Sequence, residues 1–238
     1  SSSLLQRLLT DLLFKDKKTD VNVMDSWYVE GVFQNLYELN ELSLEELAKL
    51  EWPFIKVLDL HGKGTLTLAI HKVLQKDPAF FAQLINYIYK RDDQKPDTDS
   101  GLTSAQKERL ASNAWEVLHR WYLVPGFGND SSADKEALFN WIEGARKRCV
   151  EIGKVIGCDI QIGSILARVP KDPDGFWPHI LTRDLIESLR NKTVEEHIRI
   201  GLYNDRGVTS RGMGDGGSLE RSLSKNYLDM SKAVNSKW

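Results

Sequence analysis

Cysteine is scarce: the 238-residue chain holds two, Cys149 and Cys158. Two thiols cannot build a disulfide framework, and their separation of nine residues fits neither a zinc knuckle nor a CxxC redox pair. A reducing, cytoplasmic setting is the expected one. An excess of one charge is also missing, since 32 basic and 34 acidic residues leave a formal net charge of -2. Charges so mixed create no overall field to draw in nucleic acid or anionic lipid. Nor is there a long apolar run. The start, "SSSLLQRLLTDLLF", is broken by Gln6, Arg7 and Asp11, which excludes a membrane span or the core of a signal peptide there.

The familiar signatures of chemistry are absent too. His61, His71, His119, His179 and His197 include no pair at the i, i+4 spacing of a zincin helix, so no metal site is expected. No serine lies in a G-x-S-x-G elbow. "HGKGT" at 61–65 has Val57 where a Walker loop needs its first glycine and Gly64 where it needs Ser or Thr. Gly62 there reads as a helix stop. No cofactor is expected and no catalytic residue stands out.

What is present is helical periodicity, in a composition of 41% hydrophobic and 28% charged residues that suits a globular protein. Leu4, Leu5, Leu8, Leu9, Leu12 and Leu13 recur at three- and four-residue steps, as do Val32, Phe33, Leu36 and Tyr37, then Phe81, Leu84, Ile85 and Ile88. Such spacing lines one face of a helix and predicts its burial. Further stripes are Ala111, Trp115, Leu118 and Tyr122; Leu138, Trp141, Ile142, Ala145, Cys149, Ile152 and Ile156; and Leu219, Leu223, Tyr227, Met230 and Val234. Cys149 therefore reads as a core residue, and Trp115 and Trp141 as rings packed between helices. Ser43 with Glu46, Thr103 with Gln106 and Thr193 with Glu196 have the capping-box spacing. Asp77-Pro78 joins an acidic cap to a proline suited to a first turn.

Two stretches complicate the pattern. In "GCDIQIGSI", Cys158, Ile160 and Ile162 alternate with Asp159, Gln161 and Gly163, predicting one short strand near 156–163. "WPFIKVLDL" at 52–60 and "WPHILTRDL" at 177–185 share W-P-x-I-x-x-x-D-L, which fits a proline-started helix with Ile and Leu directed inward.

The stretch most like a site is "DRGVTSRGMGDGGS" at 205–218, with five glycines and two arginines ahead of the last helical stripe. Phosphate loops use glycine so that the backbone N–H groups can close on the anion ahead of a helix N-terminus. Arg206, Arg211, Gly212, Gly214, Gly216 and Gly217 are the candidate anion-binding residues, with Asp205 or Asp215 as metal or base candidates. Neither a Walker pattern nor G-x-G-x-x-G after a strand is present, however, and a solvated or partner-contacting connection is the preferred reading. Nucleic acid is a further alternative, carried by Arg183, Arg190, Lys192, Arg221, Lys225, Lys232 and Lys237. The cluster Arg146, Lys147 and Arg148 is offset by Glu143 and Glu151 at helical neighbours.

From "HILTRDLIESLRNKTVEEHIRIGLYNDRGVTSRGMGDGG" to its end at Trp238, the chain resembles the C-terminal region of large bacterial multidomain proteins of no characterised family. The resemblance implies a larger parent protein but no activity and no residue roles. The missing initiating Met and the end at Trp238 lead to the same expectation of a fragment. The fold expected is all-α, a single helical domain over 1–238 with subdivision at 92–102 or 124–132. It would hold about ten helices in antiparallel pairs, as an irregular HEAT-like solenoid or an orthogonal bundle. The function expected is a protein interaction or regulatory module, its partner another protein or neighbouring domains, with no membrane contact.

Overall fold

The computed structural model describes residues 1–15, 23–58, 68–97, 101–128, 133–173, 175–204 and 216–233, with the side chains of 12–26 left aside. The fold is all-α: eleven α-helices and one 3₁₀ turn lie among the described residues, and the only β pairing there is an isolated bridge between Phe127 and Ala133. No described helix is long and apolar enough to cross a membrane. The chain forms two compact units, Ser1–Ile88 with Thr98–Leu123, and Tyr89–Asp97 with Val124–Trp238.

The first unit holds α1 (Ser2–Lys15), α2 (Val23–Leu39), α3 (Leu44–Glu51), a 3₁₀ turn (Trp52–Phe54), α4 (Ala69–Lys76), α5 (Pro78–Ile88) and α6 (Ser104–Arg120). Its helix starts follow local chemistry. Ser43 and Thr103 each complete a capping box, with Glu46 and Gln106 returning a bond to the cap backbone. The Asp77 carboxylate accepts from Ala79 N at 2.8 Å, ahead of Pro78 in the first turn of α5.

Packing then selects which stripes are buried. Phe33, Leu36, Phe81, Leu84 and Ile85 are buried, and the Phe33 ring meets Phe54 edge-on at 6.0 Å. On α6 the buried set is Ala114, Val117 and Leu118 with Trp121 just beyond, whereas Trp115 and Tyr122 are exposed. The expected stripe is therefore rotated. The Asn113 amide donates to Trp52 O, and the Arg120 guanidinium to Ile55 O and Leu58 O. Those bonds set which face of α6 turns to the core, and Trp115 instead stacks on His119 at 4.5 Å. On α1, Leu9 is buried while Leu4 and Leu8 are exposed.

Gly31 sits in the middle of α2, and a Cβ added there would meet nothing within 4 Å. Glycine in a helix interior costs about 0.5–1 kcal/mol relative to alanine through backbone entropy. Gly31→Ala is therefore expected to stabilise the chain by about that amount, read as a raised urea midpoint with unchanged slope.

The second unit holds α7 (Lys135–Ile152), α8 (Val155–Leu166), α9 (Ile180–Leu189), α10 (Lys192–Asn204) and α11 (Ser218–Ala233). The strand expected near 156–163 is part of α8. Cys158, Ile162, Ile165 and Leu166 are buried at helical spacing. α7 packs on one side of this helix and α10 on another. A helix covered from two sides is apolar over much of its girth, and over eight residues that composition imitates alternation.

Gly153, at φ +70°, ends α7 in the left-handed conformation that glycine tolerates. The segment 89–97 is knitted to this corner: Asp92 Oδ2 accepts from Val155 N at 2.6 Å, Arg91 donates to Ile152 O, and the buried Lys154 ammonium pairs with Asp97 at 2.8 Å. The expected Thr193 cap is displaced as well. Asn191 Oδ1 accepts from Thr193 N and Val194 N, while its amide donates to Asp159 Oδ2 at 2.6 Å. Asp159, also paired with Arg146 at 2.9 Å, thus orients the cap, and no local sequence rule contains that contact.

The W-P echo does not mark equivalent helices. Trp52-Pro53-Phe54 is a 3₁₀ turn followed by a buried Ile55, whereas Trp177-Pro178 is a cis peptide ahead of α9, whose Ile180 is exposed. His179, not proline, caps α9 by accepting from Leu181 N.

Candidate functional site

Of the six candidate anion-binding residues, Arg206, Arg211, Gly212 and Gly214 lie outside the described residues, as do Asp205 and Asp215. "HGKGT" lies outside them too. Gly216 and Gly217 are described, at φ +50° and +74°, forming the turn into α11. The Gly217 carbonyl accepts from Arg221 N at 3.1 Å, and the side chains of Arg221 and Glu220 lie close over its Cα. These two glycines serve the helix start. Among the described residues no group of three or more His, Cys, Asp or Glu could hold a metal ion.

A groove of the second unit lies further along α11, away from that turn. Trp177, Pro178, Arg199, Leu202, Tyr203, Tyr227, Met230 and Ser231 enclose a groove of about 360 Å³, within the range of ligand pockets. Its lining is a product of periodicity. Arg199, Leu202 and Tyr203 share a face of α10 at i, i+3, i+4, and Tyr227, Met230 and Ser231 do the same on α11.

Trp177 is placed by the loop before α9. Asp172 accepts from the Arg183 guanidinium at 3.0 Å, Arg183 Nε donates to Pro178 O at 2.9 Å, and Asp172 N donates to Phe176 O. Gly175, at φ +86°, allows the tight return. The result is an indole only 8% exposed, whose buried Nε1 meets no acceptor among the described residues. An unmet buried donor costs about 1–3 kcal/mol. Tyr203 and Tyr227, by contrast, are 65% and 42% exposed.

The sequence signals for this groove were partial. Tyr227 and Met230 belong to the last expected stripe, but in α11 no described residue is fully buried, so the stripe lines an open groove. Trp177 was hidden within the W-P echo and Arg199 within a charged run.

The first unit has a cavity of about 400 Å³ between α3, α4 and α5. Its floor includes Ala48, Trp52, Ile70 and Val73, and its charged lining residues are Glu45, Lys49 and Asp77. Both signs are present, and Asp77 already caps α5. Of the cationic residues named as candidates for nucleic-acid contact or as a basic cluster, Arg146 and Arg183 are engaged by Asp159 and Asp172, and Lys232 by Asp229.

Comparison with protein-family models, curated proteins and solved structures finds no match. The fold itself gives the class: an all-α protein of two helical units.

Proposed function

We propose that the chain is a protein-interaction module of a larger bacterial protein, and that its second unit takes a segment of a partner in the groove between α10 and α11. The observation that carries this reading is the pairing of half-exposed Tyr203 and Tyr227 with apolar Leu202 and Met230 around one concavity. Tyrosine and methionine are enriched at interfaces because they offer large contact area beside a polar tip or an adaptable chain. A groove between helices accepts a peptide by burying alternate anchors in this way. Two free, buried cysteines fit the reducing, cytoplasmic setting that accompanies the reading. The nucleic-acid alternative is weakened because Arg146 and Arg183 are engaged within the unit.

The test is selection of a phage-displayed random-peptide library on the purified full chain. Enriched peptides are expected to bind wild type and to lose about tenfold in affinity to Tyr227→Ala, the magnitude of a moderate hot spot. Tyr227 is exposed, so its truncation should leave the melting temperature nearly unchanged. Failure to enrich any sequence, or equal binding to Tyr227→Ala, would overturn the docking reading.

A further inference from the structure

We propose that the partner segment taken by this groove is acidic, with an Asp, Glu or C-terminal carboxylate placed against Arg199 next to apolar anchors. The inference rests on the proposed docking function and adds the chemistry of the occupant.

The polar groups around the groove are biased toward donation. Arg199 offers up to five N–H groups and accepts nothing, and the Trp177 indole is a donor alone. Among the described residues no carboxylate lines the groove; the Ser231 hydroxyl donates to Leu228 O at 2.8 Å, and the two tyrosines contribute hydroxyls. Arg199 also has no carboxylate partner among the described residues. Arg91, Arg120, Arg146 and Arg183 are instead engaged by Asp93, Glu116, Asp159 and Asp172.

Trp177 supplies the second, independent observation. Its side chain lines the groove, is more than nine-tenths buried, and holds an N–H with no acceptor among the described residues. That N–H is closed to solvent, so an entering acceptor recovers its hydrogen bond only with a shift of the indole toward the groove. A planar guanidinium can hold a carboxylate through two parallel bonds, which fixes orientation as well as charge. A peptide suits the site better than a small free acid. The groove is flanked along its two helices by exposed Ile200 and Leu228, giving a chain further apolar contact where a small acid would end.

Peptides selected from the phage library provide the probe. They are expected to be enriched in Asp and Glu. Changing their acids to amides should weaken binding about tenfold, and Arg199→Gln should weaken the acidic peptide equally while leaving the amide form unaffected. Arg199→Lys should retain part of the difference, and Trp177→Phe, which removes the donor together with part of a buried indole, should weaken the acidic peptide and lower the melting temperature modestly. Selection on Arg199→Glu should turn toward Lys and Arg.

Peptides that enrich without acids and bind Arg199→Gln as they bind wild type would overturn this inference and leave the docking reading standing. Indifference to Tyr227→Ala would end both. Phenylacetate competing as strongly as the selected peptide would identify a free carboxylate as the occupant and overturn the peptide assignment. Self-association of the chain that disappears in Arg199→Glu would do so in favour of a second copy.

Discussion

Glu51→Ala is expected to destabilise the first helical unit by about 2–4 kcal/mol, from lost hydrogen bonds together with the space left behind. Glu51 closes α3 and is fully buried. Its two carboxylate oxygens accept from Ala69 N at 2.9 Å and Ile70 N at 2.7 Å, the first amides of α4. A helix start leaves such donors without intrahelical partners, and Leu68 at the cap position provides no side-chain bond. Tyr37 Oη also accepts from Ala69 N, so alanine would strip Ile70 N more completely than Ala69 N. Chemical denaturation followed by circular dichroism measures the loss; a change within a few tenths of a kcal/mol would remove Glu51 from its role as the cap of α4.

The same carboxyl gives the chain a pH dependence. Burial pushes Glu51 up from 4.5 to about 7, outweighing the bonds from Ile70 and Ala69 and the attraction of Lys72, which act the other way. The folded state therefore binds more protons than the unfolded state between these values. Its contribution is fully present below about pH 4.5 and is lost as pH rises through about 7, a change on the order of 3 kcal/mol. Wild type should lose stability from pH 5 to pH 8 in the first unit. Glu51→Gln should flatten that slope while lowering stability at every pH, because its amide NH₂ would face a backbone donor. A wild-type slope retained in Glu51→Gln would assign the titration to another group.

Gly163→Val should produce a loss of about 3 kcal/mol or more in the second unit, at the upper end of overpacking costs. A Cβ on Gly163 would stand 2.6 Å from Val194 O and 2.7 Å from His197 Cβ, so α8 and α10 would have to separate. Helix propensity favours any ordinary residue over glycine by up to about 1 kcal/mol, which is too little to offset that clash. The neighbouring crossing offers a control. Gly201→Ala would bring its Cβ to 2.5 Å from Ala167 Cβ, and Ala167→Gly removes the opposing atom. The double variant should recover part of the loss, giving a favourable coupling energy between the two sites. Strict additivity would show that α8 and α10 do not meet there.

Glu51 and Gly163 mark the division between what local chemistry decides and what assembly decides. Ser43, Thr103 and Asp77 act on backbone groups within a few residues of themselves, so the boundaries they set were legible as short patterns, whereas the stripe expected from Leu138 to Ile156 runs through Gly153, where α7 ends. The all-α class was legible for the same reason, since periodicity of 3.6 records which faces are apolar. Glu51 has no local signature, because the amides that it caps lie 18 and 19 residues further along. Gly163 looked like a member of a short strand, because the helix that requires its missing Cβ is α10.

The candidate site divides in the same way. Composition pointed to the glycines of 205–218, a local feature, whereas the groove joins Trp177 to residues of two helices, among them Arg199 and Tyr227. The sequence alone determined that this chain is helical, where several of its helices begin, and which stripes are apolar. Only the tertiary structure decided that Trp115 faces outward, that residues 155–166 are a buried helix, and that Tyr227 and Met230 line a groove. The physical reason is range: capping and periodicity act over about a turn of helix, while burial and polar satisfaction depend on groups that folding alone brings together.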